Sequence, residues 1–302
     1  MSTTFRTAVV RTPGGPDSIE VIDVPVVEPG PGQVRVEIAG ATVNPVDLAL
    51  AAGVFHELGL IDQPDHTGLG WDFAGTVTAA GTDVDLPIGS RVAGLVVGFN
   101  RDFGTYAEQL IVPARDTALV PDGLDLVSAA TVPLNGLAAA QIVDLLGDGG
   151  GRSLLVTGAA GAVGGYVVSL AQDRGWRVTG LARAQDEEFV RGLGADFIAE
   201  AAPGWDAVAD GAVLQEQGVA LVRGGGLFVG VQPGAAPAEE RGVTVRVVET
   251  EPDGARLTEL LDAAASGRLP VRVHAVLPLD QVATAHRAVA KGGVRGRYVL
   301  RP

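Results

Sequence analysis

Leu154-Leu-Val-Thr-Gly158-Ala-Ala-Gly161-Ala-Val-Gly164-Gly165-Tyr-Val-Val168 decides how the rest of the chain is read. An apolar strand runs into a turn of small residues, and an apolar helix follows at once. A chain that must fold sharply, bring its backbone up to a pyrophosphate and then lay a helix closely on the preceding strand needs small residues at three points. Gly161 and Gly164 fill the second and third of these. Ala159 holds the place of the first, giving an A-x-G-x-x-G pattern. The free N–H groups and partial positive charge at the start of the helix favour phosphate there. Ala159, Ala160, Gly161, Ala162, Val163 and Gly164 are therefore candidate dinucleotide contacts. The strand before and the helix after lift the pattern above a bare glycine spacing; the alternative is a Gly-rich strand–helix connection with no ligand.

The position 21 residues beyond Gly161 bears on which dinucleotide is held. NAD readers carry an acid there for the ribose hydroxyls. This chain has Ala182, and Arg183 follows directly. A carboxylate would repel a 2′-phosphate, whereas a guanidinium binds it through paired hydrogen bonds. NADP(H) is the favoured cofactor, with Ala182 and Arg183 at its ribose. The competing reading leaves Arg183 facing solvent at a strand end. Further on, Gly230-Val231-Gln232-Pro233-Gly234 ends a strand at the carboxyl edge, where such sheets bind ligands, and marks Gly230 and Val231 for the nicotinamide.

Outward from this turn, strands and helices alternate from about residue 126, as a doubly wound parallel sheet requires. Expected strands are 153–157, 177–181, 196–199, 207–209, 226–231 and 243–248. Expected helices are 126–146, 162–174, 187–193, 212–222 and 254–266. The first third reads instead as short strands between Pro/Gly turns such as Pro29-Gly-Pro-Gly32, with one short helix at Pro45–Ala52. The tail from about 267 returns to that style. The fold class is α/β, with three segments: 1–120, 121–266 and 267–302.

Composition narrows the chemistry. The 302 residues are 47% hydrophobic and contain no cysteine, which removes disulfides, thiolate zinc sites and cysteine nucleophiles. A net charge of −14 argues against nucleic acid and anionic membranes as partners. No apolar leader follows Met1, and no run is long enough to span a bilayer, so a cytoplasmic protein is expected. No Gly-x-Ser-x-Gly elbow occurs, and the scattered acids form no clear glycosidase pair.

Several stretches resemble the medium-chain dehydrogenase/reductase superfamily, in its zinc-independent quinone oxidoreductase branch. They are Ala41-Thr-Val-Asn44-Pro-Val-Asp47, Leu69-Gly-Trp-Asp72-Phe-Ala-Gly75, Gly104-Thr-Tyr-Ala-Glu108, Ala129-Ala-Thr-Val-Pro133-Leu, Leu221-Val-Arg-Gly-Gly225 and Ala285-His286-Arg-Ala-Val. Their order and spacing carry the resemblance over nearly the whole chain. It implies a Rossmann-type unit inserted in a GroES-like β-rich catalytic domain, and a homodimer joined through strands of the cofactor domains. Where zinc-dependent members carry ligands, the matching positions are Asn44, Trp71 and one close to Leu134, which make a poor zinc site. The branch implies hydride transfer from NADPH to a small-molecule acceptor, a quinone or α,β-unsaturated carbonyl. An enoyl- or ketoreductase tailoring a biosynthetic intermediate, and an NADPH-binding sensor or scaffold without turnover, are the alternatives.

Three residues are candidates for the chemistry. Asn44 can donate an amide hydrogen beside the nicotinamide, or serve only as the N-cap of the helix that Pro45 begins. His56, read as a loop residue, can return a proton or stand solvated. Asp72, with Trp71, lines or supports the cleft. Asp47 reads as structural on the exposed face of its helix, Tyr106 as core and His286 as a structural residue on an amphipathic helix.

Overall fold

The computed structural model describes residues 3–302, which divide into two compact units. One takes in residues up to Leu134 with Pro252–Ser266 and Val271–Pro302; the other takes in Asn135–Glu251 and Gly267–Pro270.

In the second unit six strands form one parallel sheet. Across it lie Asp196–Ile198, Arg177–Leu181, Ser153–Thr157, Trp205–Asp210, Val222–Gly230 and Thr244–Val247. Leu154, Leu155 and Val156 are fully buried, the continuous apolar run of a strand covered on both faces. The strand order reverses between Ser153–Thr157 and Trp205–Asp210, so the crevice of this doubly wound sheet opens at the carboxyl ends of those two strands. The helix Ala162–Asp173 buries Tyr166, Val167, Val168 and Ala171.

The first unit is built on the long strand Gln33–Thr42, which pairs antiparallel with Asp72–Ala80, with Gln109–Pro113 and, at its end, with Arg297–Arg301. Val34, Val36, Phe73, Leu50, Tyr106 and Leu300 join in one core. The helix Pro45–Ala52 forms as its sequence demands: proline at the first position, and Gly53 at φ +92° to stop it.

The single helix expected over 126–146 is two, Leu126–Ala129 and Pro133–Leu146, because a proline without an N–H starts a helix better than it continues one. The helix Gly254–Ala265, expected with the cofactor-binding segment, belongs to the first unit. A Cβ on Gly254 would lie 2.4 Å from the Arg115 carbonyl oxygen of that same unit. Among the described residues no helix is long and apolar enough to cross a membrane.

Backbone meets backbone where two glycines face each other. A Cβ on Gly68 would lie 2.3 Å from the Gly104 nitrogen, and one on Gly104 would lie 2.0 Å from the Leu69 carbonyl oxygen. Gly104→Ala should therefore force main chain apart and lower stability by about 1–3 kcal/mol. Urea unfolding reads this directly, and an unchanged midpoint would mean that the two segments separate freely.

Candidate active site

The strand Ser153–Thr157 ends in Gly158, whose φ of +61° begins the phosphate-type turn. The Gly161 N–H donates to the Gly158 carbonyl oxygen at 2.7 Å. Gly161 is then the N-cap of the helix Ala162–Asp173. A Cβ on Gly164 would sit 2.3 Å from the Gly158 oxygen, so position 164 admits only glycine, and one on Gly161 would make a tight contact with the same oxygen at 3.1 Å. That geometry fits a diphosphate, with the first-turn N–H groups free of intrahelical partners. Gly161, Ala162 and Val163 reach the surface, whereas Ala159, Ala160 and Gly164 are buried.

Gly158 has no place in the A-x-G-x-x-G pattern. It is this residue that takes the left-handed conformation, while the Ala159 methyl packs inward beneath Gly180. Its signal is a glycine directly after the strand's last residue, Thr157. Ala182 is half-buried and Arg183 exposed, just past the strand Arg177–Leu181. Gly230 ends its strand buried, and Val231 emerges half-buried beyond it.

In the first unit, Thr42, Asn44, Asp47 and Asp72 meet in one buried network. The Asn44 side chain donates from Nδ2 to Thr42 Oγ1 and to Asp72 Oδ1, both at 3.1 Å. The Thr42 hydroxyl donates to the same Asp72 oxygen. Asn44 is also the N-cap of Pro45–Ala52, and Asp47 closes a capping box with it. Asn44 is thus the cap that the sequence allows, its amide hydrogens go to protein groups, and the residue is 1% exposed.

Asp47 corrects an expectation. It is not on an exposed face but fully buried, with Oδ2 accepting from the Asn44 N–H at 2.9 Å and Oδ1 from the Gly70 N–H at 3.0 Å. The third position of a capping box turns its side chain back toward the start of the helix, and here that direction is inward. Burial pushes its carboxyl up to about 6, opposed by the Asn44 N–H, the Tyr106 hydroxyl and the Arg101 guanidinium. Burial likewise pushes Asp72 up to about 7; the Thr42 hydroxyl opposes this and the Asp47 charge adds to it.

His56 is a second correction. It lies not in irregular loop but in the one-turn helix Val54–Glu57, entered from Gly53, and its buried Nδ1 has no hydrogen-bond partner among the described residues. Nearby, Phe55 stacks on Phe99 with centroids 4.2 Å apart, and Trp71 meets Phe99 edge-on at 5.5 Å. Arg101 lies over the Trp71 ring at 4.9 Å and donates to the Gly70 carbonyl at 2.7 Å. Burial lowers Arg101 to about 10, with Asp47 opposing, so it stays charged at neutral pH. Phe99 and Arg101 escaped the sequence reading because their partners lie some thirty or more residues away. Tyr106 is core, its hydroxyl donating to the Thr42 carbonyl at 3.3 Å, and buried His286 packs edge-on against it.

Two family models match: an alcohol dehydrogenase GroES-like domain over residues 30–122 and a zinc-binding dehydrogenase domain over residues 185–300. The chain belongs to the medium-chain dehydrogenase/reductase superfamily. Within that superfamily it is quinone oxidoreductase-like. A chloroplastic quinone-oxidoreductase homolog of Spinacia oleracea is 31% identical over 192 residues, 61% of this chain and 57% of that protein. The 2-methylene-furan-3-one reductase of Solanum lycopersicum is 29% identical over 287 residues, 89% of this chain and 72% of that protein. In fold, the quinone oxidoreductase from Coxiella burnetii superposes with a TM-score of 0.88 over 99% of both chains, at 24% identity. The superfamily's cofactor is a nicotinamide dinucleotide, which fits the bare cradle at 158–164.

The two raised carboxyls set a pH dependence. Between about pH 4 and 7 the folded chain keeps protons on Asp47 and Asp72 that the unfolded chain releases, so stability falls as pH rises through that window. Asp72→Asn, which cannot ionise, should flatten the fall and stabilise the chain at pH 8 relative to the parent. Denaturant unfolding at pH 5 and pH 8 measures it; the same slope in both proteins would show that Asp72 is not the group holding the proton.

Proposed function

We propose that the chain is an NADPH-dependent reductase of quinones or α,β-unsaturated carbonyl compounds, working without zinc. The observation that carries the cofactor choice is Arg183: exposed, without an ion pair among the described residues, and directly after Ala182 where an acid would select NADH. A free guanidinium at that strand end suits a 2′-phosphate.

The donor set supports the metal-free part of the reading. Asn44 spends its amide within the protein, and neither Trp71 nor Leu134 can ligate zinc. Among the described residues no three His, Cys, Asp or Glu side chains cluster with metal-ligand spacing. The names of the spinach and tomato relatives agree with a quinone or enone acceptor.

When bound, the cofactor supplies the hydride. The protein's part is to hold the diphosphate on the backbone of 158–164 and to keep the reacting groups in place. We assign Asn44 and Asp72 a supporting role: they lock Thr42, the start of the helix Pro45–Ala52 and the strand that begins at Asp72 into one rigid piece. His56 is the candidate proton donor to the reduced acceptor, with solvent as its rival. Among the described residues the strand Thr244–Val247 has a neighbour on one side only, which supports a homodimer joined at that edge.

Following reduced-nicotinamide absorbance against a panel of quinones, enones and aldehydes tests the activity; binding without any turnover would favour a sensor or scaffold. Arg183→Ala should weaken NADPH by about tenfold and leave NADH nearly unchanged, and equal losses would refute the phosphate assignment. His56→Gln should leave the NADPH Kd alone and lower kcat by about tenfold or more. An unaltered kcat would give the proton to solvent.

A further inference from the structure

The last helix, Val282–Ala290, buries Val282, Ala285 and His286. Thr284, Arg287, Ala288 and its C-cap Lys291 stand at i, i+3, i+4 and i+7, the spacing that puts side chains on one helix face. These four line a cavity of about 470 Å³. A further wall comes from His274 and Tyr298, whose rings lie 4.9 Å apart on the paired strands Val273–Pro278 and Arg297–Arg301. All of these residues belong to the first unit. The volume falls within the range of small-molecule pockets, about 300–1,000 Å³.

The chemistry of the lining is one-sided. The chain carries 36 acids against 22 bases, yet no acid lines this cavity. Lys291 is the only lysine in the sequence; every other basic residue is an arginine. Among the described residues the Lys291 ammonium, the His274 ring nitrogens and the Thr284 and Tyr298 hydroxyls have no hydrogen-bond partner. Arg287 donates from Nη2 to Asp17, which leaves its Nε and Nη1 hydrogens unspent. Ammonium and guanidinium groups only donate, so this helix face presents positive charge and N–H groups, the complement of a phosphate dianion rich in acceptor oxygens. Beside them the two rings offer a surface on which a flat group can stack. Gly292 and Gly293, which also line the cavity, take φ +69° and +78° and bring no side chain to fill it.

We propose that this cavity binds a small phosphate monoester bearing a flat ring, with the phosphate on Lys291, Arg287 and Thr284 and the ring against His274 and Tyr298. The site shares no residue with the turn at 158–164 or with the side-chain network of Thr42, Asn44, Asp47 and Asp72, so the proposal stands apart from the cofactor and acceptor readings.

A single lysine makes the site directly observable. Isotope-labelled reductive methylation marks Lys291 and the terminal amine alone, and it keeps the positive charge. Titrating the full chain with phenyl phosphate should shift the Lys291 methyl resonance in NMR saturably and leave the terminal one nearly still. Inorganic phosphate should bind about fivefold more weakly, since it lacks the ring. Arg287→Gln should raise the phenyl phosphate Kd about tenfold, and His274→Ala about three- to fivefold. Both replaced side chains are exposed, so both variants keep the fold. A Lys291 resonance that drifts without saturating means that the cations merely complement the negative end of the helix, and overturns the proposal. A Kd unchanged in Arg287→Gln puts the phosphate elsewhere, the turn at 158–164 included, and overturns it as well. Equal affinities for phenyl phosphate and inorganic phosphate overturn the choice of a ring-bearing ester. NADPH binding, measured separately on the same protein, decides the cofactor reading whatever Lys291 shows.

Discussion

A single carbonyl oxygen, that of Gly158, leaves no room for a side chain at position 164. The helix Ala162–Asp173 can lie this close to the strand Ser153–Thr157 only because residue 164 is glycine. That closeness puts the start of the helix, with its unpaired N–H groups, at the end of the central strand. The neighbouring strand obeys the same rule: Gly180 leaves space for the Ala159 methyl and Val190, so Arg177–Leu181 can pack beside the turn and deliver Ala182 and Arg183 to the same edge. The course of the turn at 158–164 and the placing of Ala182 and Arg183 beside it thus follow from how near three pieces of backbone come to one another.

The first unit solves a different problem. Thr42, Asn44, Asp47 and Asp72 are all buried, and buried polar groups are costly unless bonded. Asn44 meets the need at both ends, capping a helix and donating to two oxygens, while Asp47 takes two backbone N–H groups. The remaining carboxyl, Asp72, receives hydrogen bonds on one oxygen only from Thr42 and Asn44, in company with a second acid, and keeping its proton is cheaper there than ionising.

Local chemistry was legible and long-range chemistry was not. Pro45 and Gly53 bracket a helix that the sequence bounds correctly, and the strands Ser153–Thr157 and Arg177–Leu181 match residue for residue, because proline, glycine and apolar runs act within a few positions. Asp47 was misread because an acid three residues after an Asn cap looks like any solvent-facing helix acid until the cap turns it inward. Gly158 was passed over because alanine at 159 sits in the register where a glycine is ordinarily sought. Asp210 gives only a faint sign, an acid directly after the apolar run 207–209. The stack of Phe55, Phe99, Trp71 and Arg101 gave none, since its members meet only through the fold.

Asp47 and Asp210 point to a shared construction principle. Each is fully buried, and each uses its carboxyl to hold backbone N–H groups of a connecting segment: Asn44 and Gly70 for the one, Gln215 for the other. A loop fastened by backbone bonds to a buried side chain keeps its course whatever its exposed residues are. That leaves the exposed positions of such a segment free to vary while the buried acids maintain the shape. The same construction explains why polar residues as conspicuous in the sequence as Asn44, Asp47 and Asp72 are consumed by the fold.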